Sequence, residues 1–164
     1  MIAVRIITEH MIKFATGDML KAETQALVNA VNTVGVMGKG IALQFKETFP
    51  HNYKVYAEAC KTKQLEPGKL LAVWDSNLLL GKKLIVNFPT KIHWRNPSQY
   101  EYVEKGLAAL IELIEKERIQ SIALPALGCG NGGLEWHRVK EMISKYLGLL
   151  PIEVVVFEPN AEIK

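Results

Sequence analysis

Two cysteines are all that this chain of 164 residues contains, and Cys60 and Cys129 stand far apart with no ligand spacing. That excludes a disulfide scaffold and a cysteine zinc site, and reads as reduced thiols in a cytoplasmic protein. The four histidines show no metal-ligand spacing either, so no metal or other cofactor is implied. No apolar run reaches the roughly 20 residues of a membrane span. The N-terminus lacks a basic segment followed by a long apolar run, so it is not a signal peptide. Neither sign of charge dominates: 20 Lys+Arg against 17 Asp+Glu leave +3, which permits a polyanionic partner without demanding one. Repeats, linkers and low-complexity stretches are absent, so residues 1–164 are expected to form one domain and to act as a monomer. No Gly-Lys-Ser/Thr closes a triphosphate loop, and no G-x-G-x-x-G stands at the right distance from an acid. No pair of carboxylates suits ordinary glycosidase chemistry.

What is present is 49% hydrophobic residues, enough for a real core, in an alternating order of strands and helices. Val4–Ile7 and Ile12–Ala15 read as two short strands or one interrupted strand; residues 1–10 are either a first strand or an extension ahead of a second start at Met11. Asp18 can cap a helical turn over Met19–Ala22. Ala26–Val31 is a continuous apolar run, the pattern of a buried strand. Ile41, Phe45 and Phe49 predict a helix over Gly40–Phe49, stopped by Pro50. Asn52–Lys63 follows as a helix with Tyr53, Tyr56 and Cys60 on one face, and Pro67-Gly68 is a turn. Leu70–Trp74 and Leu84–Phe88 are expected to pair around a turn near Gly81, with Pro89–Pro97 a loop. Ser98–Arg118 is the longest helix, with Leu107, Leu110, Ile111 and Ile114 inward. A short strand at Ser121–Leu124, a helix over Leu134–Leu147 with Val139, Met142, Ile143 and Tyr146 inward, and a last strand at Glu153–Phe157 complete the pattern. Trp74 and Trp136 read as core, His51 and His137 as surface or cap residues, and Glu135 as a helix cap. The order predicts a three-layer α/β/α domain around a central mixed, largely parallel sheet.

Two glycine loops interrupt that order, each after a buried strand and before a helix. The first runs from Asn29 and Asn32 through Gly35, Gly38 and Gly40 to Ile41; the second is Leu127-Gly128-Cys129-Gly130-Asn131-Gly132-Gly133. In open α/β sheets such loops flank a crevice at the carboxyl ends of the strands. Glycines let backbone approach a ligand closely, and a helix start offers unpaired N–H groups and a positive dipole end. The ligand inferred is a nucleotide diphosphate with an exposed ribose. The asparagines have a plainer reading as strand-ending Asx turns. Cys129 reads as a small packing residue, since no partner base flags it as a nucleophile.

Gly17-Asp18-Met19-Leu20, Asn29-Ala30-Val31-Asn32, Gly38-Lys39-Gly40-Ile41-Ala42 and Pro125-Ala126-Leu127-Gly128-Cys129-Gly130 together resemble the motifs of the macrodomain family, which binds ADP-ribose. They stand in the family's order over nearly the whole chain. Asn87-Phe88-Pro89-Thr90-Lys91, His93-Trp94-Arg95 and Gly130-Asn131-Gly132-Gly133-Leu134-Glu135-Trp136 resemble its DarG-type branch, antitoxins that remove ADP-ribose from thymidine in single-stranded DNA and so undo the work of a DarT toxin. The resemblance implies that Asp18 accepts from the adenine amino group and that the Met19 N–H donates to the ring. It implies that Asn32 holds the distal ribose, that Gly38, Gly40 and Ile41 line diphosphate and ribose, and that Thr90 joins the ligand contacts. Leu127, Gly128, Cys129, Gly130 and Asn131 would wrap the diphosphate, and Phe157 would stack on adenine or else serve the core. Members of the branch carry a further toxin-binding domain, so this chain is expected to be a macrodomain standing alone or separated from that domain.

Lys91 is the catalytic residue that the resemblance implies; by residue type alone it would pass for a surface lysine. A neutral amine could attack the ribose carbon as the glycosidic bond breaks, whereas a charged one could orient substrate or stabilise the departing thymine. A human relative carries an aspartate where this chain has Gly132, so a lysine–aspartate pair does not carry over. His93, Trp94 and Arg95 read either as a loop anchor or as a nucleic-acid contact, with Trp94 stacking a base. The leading expectation is an ADP-ribosyl glycohydrolase acting on thymidine in single-stranded DNA, possessing ADP-ribose and a DarT-type toxin as partners. The rival expectations are an ADP-ribose reader without catalysis, and a hydrolase of protein ADP-ribosyl esters or O-acetyl-ADP-ribose.

Overall fold

The computed structural model describes residues 12–159. The expected strand at Val4–Ile7 and the role of residues 1–10 lie outside the described residues. Among the described residues, six strands form one sheet: β1 (Lys13–Ala15), β2 (Ala26–Val31), β3 (Leu71–Asn77), β4 (Gly81–Pro89), β5 (Ser121–Leu124) and β6 (Glu153–Phe157), in the spatial order β1-β6-β5-β2-β4-β3. Every pairing is parallel except the β3–β4 hairpin. Helices α1 (Gly40–Thr48), α2 (Pro50–Lys61), α3 (Tyr100–Glu117) and α4 (Trp136–Leu147) cover it. This is the expected three-layer arrangement with a mixed, largely parallel sheet.

The period of two along the strands sorts the core into layers. Ala26 and Val28 of β2, with Leu84, Val86 and Phe88 of β4, pack against Val103, Leu107 and Leu110 of α3 and Val139 and Ile143 of α4. Leu27 and Ile85 face the other way, onto Phe45 and Phe49, while Val31 meets Tyr56 and Cys60 of α2. Gly106 lies inside α3 because a Cβ there would overlap the Phe88 ring. That lets α3 settle directly on β4.

Several boundaries differ from the sequence expectation, each for a local reason. Proline suits a first helical turn, so α2 opens at Pro50 rather than Asn52. The Ser98 N–H donates to Gly132 O at 3.0 Å, so α3 begins only at Tyr100. The Leu134 N–H donates to Gly128 O at 3.0 Å and belongs to the glycine loop, and α4 begins at Trp136. In the hairpin, Asn77 Oδ1 accepts from Leu79 N at 2.9 Å and Leu80 N at 3.2 Å, placing the turn before Gly81, which is already in β4. Trp74 was expected in the core but is 41% exposed. It lies on β3, the sheet's edge strand, with Lys82 Nζ 5.0 Å from its ring centroid.

Candidate functional site

The five mutually parallel strands end on one side of the molecule, so the segments that leave them share one edge. In spatial order these are Gly17–Met19 after β1, Phe157 ending β6, the second glycine loop after β5, the first glycine loop after β2, and Thr90–Arg95 after β4. At about 4.8 Å per strand, the row spans roughly 19 Å. It suits an elongated ligand whose two ends need different chemistry.

At the β1 end, Asp18 caps its turn: Oδ1 accepts from Leu20 N at 3.0 Å, while the side chain stays exposed. Met19 is buried at 2% exposure with Leu20, so its side chain serves the core beneath the turn. Phe157 is half-buried beside that cluster. The carboxylate, the backbone and the ring expected around adenine are therefore neighbours.

In the centre, the first loop is shaped by Asn32. Its Oδ1 accepts from Val34 N at 3.1 Å, Val36 N at 3.3 Å and the Tyr56 hydroxyl at 3.0 Å, and its Nδ2 donates to Val36 O at 2.8 Å. The Asx-turn reading thus holds for Asn32, and most of its carboxamide is committed to the loop. Asn29 sits inside β2 at 0% exposure, away from the loop surface. Lys39 caps α1 without a side-chain bond, leaving the helix start at Gly40 and Ile41 open to an anion. A Cβ on Gly40 would lie 3.9 Å from Asn131 Nδ2, so the two loops approach each other here. Gly38 and Gly40 are exposed; Gly40, at φ 56°, takes the left-handed conformation open to glycine.

The second loop turns at Gly128, φ 75°, and winds a short 3-10 turn over Gly130–Gly132. Leu127 is fully buried with the α3 and α4 core. Burial pushes the Cys129 thiol up to about 11, which fits a packing residue and not a nucleophile. Beneath the loop lies Ser98, 5% exposed, whose Oγ has no hydrogen-bond partner. A Cβ on Gly132 would overlap that hydroxyl oxygen. Ser98 occupies the space that any side chain at position 132 would need.

At the β4 end, Thr90 is buried and its N–H donates to Val31 O at 2.9 Å. Lys91 follows, and Nζ donates to Asn131 O at 3.0 Å and Trp94 O at 3.3 Å. Burial, and then the charge of Lys39, push its amine below the usual lysine value. Lys91 therefore joins all three segments: the loop it starts, the second glycine loop, and the lysine of the first. His93, Trp94 and Arg95 stand just outside. The His93 and Trp94 rings stack at 5.4 Å, and Arg95 Cζ lies 4.7 Å from the indole centroid.

Lys39, Tyr56 and Ser98 were not singled out from sequence as parts of the site. Lys39 carried a signal, since it sits between Gly38 and Gly40; Tyr56 and Ser98 carried none, because helical spacing does not show where a hydroxyl ends up. A separate groove beside α2, lined by His51, Lys54, Val55, Glu58 and Leu71, shares no lining residue with the loops.

Residues 28–143 match the family model described as Macro domain, and the chain belongs to the macrodomain family. A Thermus aquaticus protein named DNA ADP-ribosyl glycohydrolase is 53% identical over 150 residues, covering 91% of this chain and 41% of the relative. The solved macrodomain of Mycobacterium tuberculosis DarG superposes with a TM-score of 0.88 at 47% identity, over 92% of this chain and 99% of that one. Thermosipho africanus DarTG in complex with ADP-ribose gives a TM-score of 0.84 at 41% identity, over 92% of this chain and 43% of that one. The expected likeness to DarG-type macrodomains is thus borne out. The chain spans about two fifths of the length of the curated relatives it matches. Among the described residues, no helix is long and apolar enough to cross a membrane.

Proposed function

We propose that this macrodomain is an ADP-ribosyl glycohydrolase that releases ADP-ribose from thymidine in single-stranded DNA, in the cytoplasm and in opposition to a DarT-type toxin. The observation that carries the reading is the Lys91 amine, held 3.0 Å from Asn131 O between the two glycine loops. A chain built only to hold ADP-ribose has no need of an amine braced at that end with its charge disfavoured. The likeness to a DNA ADP-ribosyl glycohydrolase supports the same substrate.

The ligand lies along the row of strand ends. Asp18 and the Met19 backbone take adenine, with Phe157 against its face. The start of α1 at Gly40 and Ile41, and the backbone of Leu127, Gly128, Cys129, Gly130 and Asn131, hold the diphosphate. Gly38, Thr90 and the free capacity of Asn32 line the distal ribose. That order puts C1'' of the distal ribose beside Lys91.

Lys91 acts as the nucleophile in its neutral form. Its lone pair bonds to C1'' as the bond from C1'' to the thymine nitrogen breaks, and the thymine leaves with that bonding pair. The nitrogen bound to C1'' then gives up its extra proton and the departing thymine gains one, so charge balances. Water adds at C1'', the lysine leaves with a proton restored, and free ADP-ribose is released. Thymine spreads its negative charge over a ring imide, so the step manages without an acid at position 132.

The substrate assignment is tested by offering the chain three compounds: a single-stranded oligonucleotide carrying ADP-ribosyl-thymidine, an ADP-ribosyl-glutamate peptide, and O-acetyl-ADP-ribose. Release of ADP-ribose from the oligonucleotide well ahead of the other two is the expected result. Preference for either ester overturns it, and calorimetric binding of ADP-ribose with no hydrolysis of any would make the chain a reader.

A further inference from the structure

The ribose end of the row opens onto a surface that the cleavage step does not use. Four large apolar side chains stand exposed there: Val34 at 44%, Val36 at 40%, Ile92 at 47% and Trp94 at 44%. They come from two loops tied together, since Thr33 N and Thr33 Oγ1 both donate to Ile92 O, at 3.0 and 2.7 Å. Trp94 is tied to the site through its own carbonyl, which accepts from Lys91 Nζ at 3.3 Å. His93 Nδ1 accepts from Arg95 N at 3.1 Å, which fixes the turn that presents the indole.

The segments that supply this strip carry charge of one sign. The chain holds 17 Asp and Glu, yet none falls in residues 24–46, 76–100 or 118–134, the stretches that supply the first glycine loop, the Lys91 loop and the second glycine loop. Lys39, Lys91 and Arg95 all fall within them. Exposed aromatic and aliphatic faces among cations, with no acid in the contributing segments, suit unpaired bases joined by phosphates. A base paired in a duplex has no free face to give.

We infer that this surface binds the nucleotides flanking the modified thymidine, so that the substrate is a single-stranded oligonucleotide and not an isolated modified nucleotide. The inference rests on the DNA reading above. A neighbouring base displaces Arg95 from the Trp94 ring, where its Cζ lies 4.7 Å from the centroid, and stacks there against Ile92, Val34 and Val36. Arg95 and Lys39 meet the phosphates on either side. Stacking is indifferent to base identity, so the surface adds affinity without a sequence preference.

The test has two arms. In the first, a fluorescently labelled, unmodified single-stranded oligonucleotide is titrated with the chain and followed by anisotropy. Binding is expected, weakened about tenfold or more by Trp94→Ala and largely recovered in Trp94→Phe, which keeps an aromatic face. Arg95→Gln lowers the slope of log affinity against log salt by about 0.7, the loss of one phosphate contact. In the second arm, the ratio of kcat/KM for the modified oligonucleotide to that for ADP-ribosyl-thymidine monophosphate is measured. The native chain is expected to favour the oligonucleotide at least about tenfold, and Trp94→Ala to shrink that ratio. Equal kcat/KM values, or anisotropy indifferent to Trp94→Ala, overturn the flanking-base surface while leaving the glycohydrolase standing. Trp94-dependent binding with neither substrate cleaved does the reverse.

Discussion

A methyl group at Gly132 tests how the second glycine loop is supported. Gly132 is not among the residues with positive φ, so its backbone accepts an alanine and only space opposes one. The added Cβ would overlap Ser98 Oγ and lie 2.9 Å from Ser98 Cβ. Ser98 is 5% exposed, and its N–H is bonded to Gly132 O at 3.0 Å, so neither residue can swing aside. Overpacking of this kind costs about 1–3 kcal/mol. In a domain of this size each kcal/mol lowers Tm by about 2–4 °C, so Gly132→Ala should melt several degrees below the native chain. Ser98→Gly removes both opposing atoms. In a double-mutant cycle it should return most of the loss, with a coupling of at least about 1 kcal/mol. Ser98→Ala alone should be neutral or stabilising, because a buried hydroxyl without a partner costs about 1–3 kcal/mol. Thermal unfolding and urea titration read all four chains. A Gly132→Ala variant that melts with the native chain, or a loss that Ser98→Gly fails to recover, refutes the close packing of Ser98 under Gly132.

Three further outcomes are expected. Burial and Lys39 lower the Lys91 pKa, so the neutral amine forms at lower pH than in a free lysine; cleavage should rise with pH and level off below the usual lysine value, Lys39→Gln should move the midpoint upward, and a rate that falls as pH rises would contradict the nucleophile. Asp18→Asn keeps an acceptor for Leu20 N and should unfold like the native chain, yet bind ADP-ribose more weakly by calorimetry because an amide turned to the cap offers adenine a donor. Asp18→Ala should also lose about 1 kcal/mol or less from the open cap. Tyr56→Phe strips Asn32 O and Oδ1 of the donor they have at 2.7 and 3.0 Å, which should cost about 1–3 kcal/mol in urea unfolding and loosen the first loop enough to weaken ADP-ribose binding.

The elements and their order were legible because periodicity reports burial directly: the apolar run of β2 and the 3.6-residue stripe of α3 are where the pattern puts them. Boundaries were less legible where a backbone group had a long-range partner. Ser98 and Leu134 read as helical, but their N–H groups serve the second glycine loop. Trp74 shows the limit of reading size as burial, since nothing local marks β3 as an edge strand. In the site, glycines and Lys91 were visible as types in context. The Asn32–Tyr56 bond, the Lys39–Lys91 repulsion and the Ser98 wedge were not. Each joins residues from segments distant in sequence, and no spacing within one segment encodes it.

Incubating a single-stranded oligonucleotide that carries ADP-ribosyl-thymidine with the native chain and with Lys91→Ala, and measuring free ADP-ribose, decides whether the chain is a lysine-dependent glycohydrolase. Release by the native chain and none by the variant is expected, with the variant still binding ADP-ribose by calorimetry. A variant that cleaves as fast as the native chain, or a native chain that leaves the oligonucleotide intact, would contradict that reading.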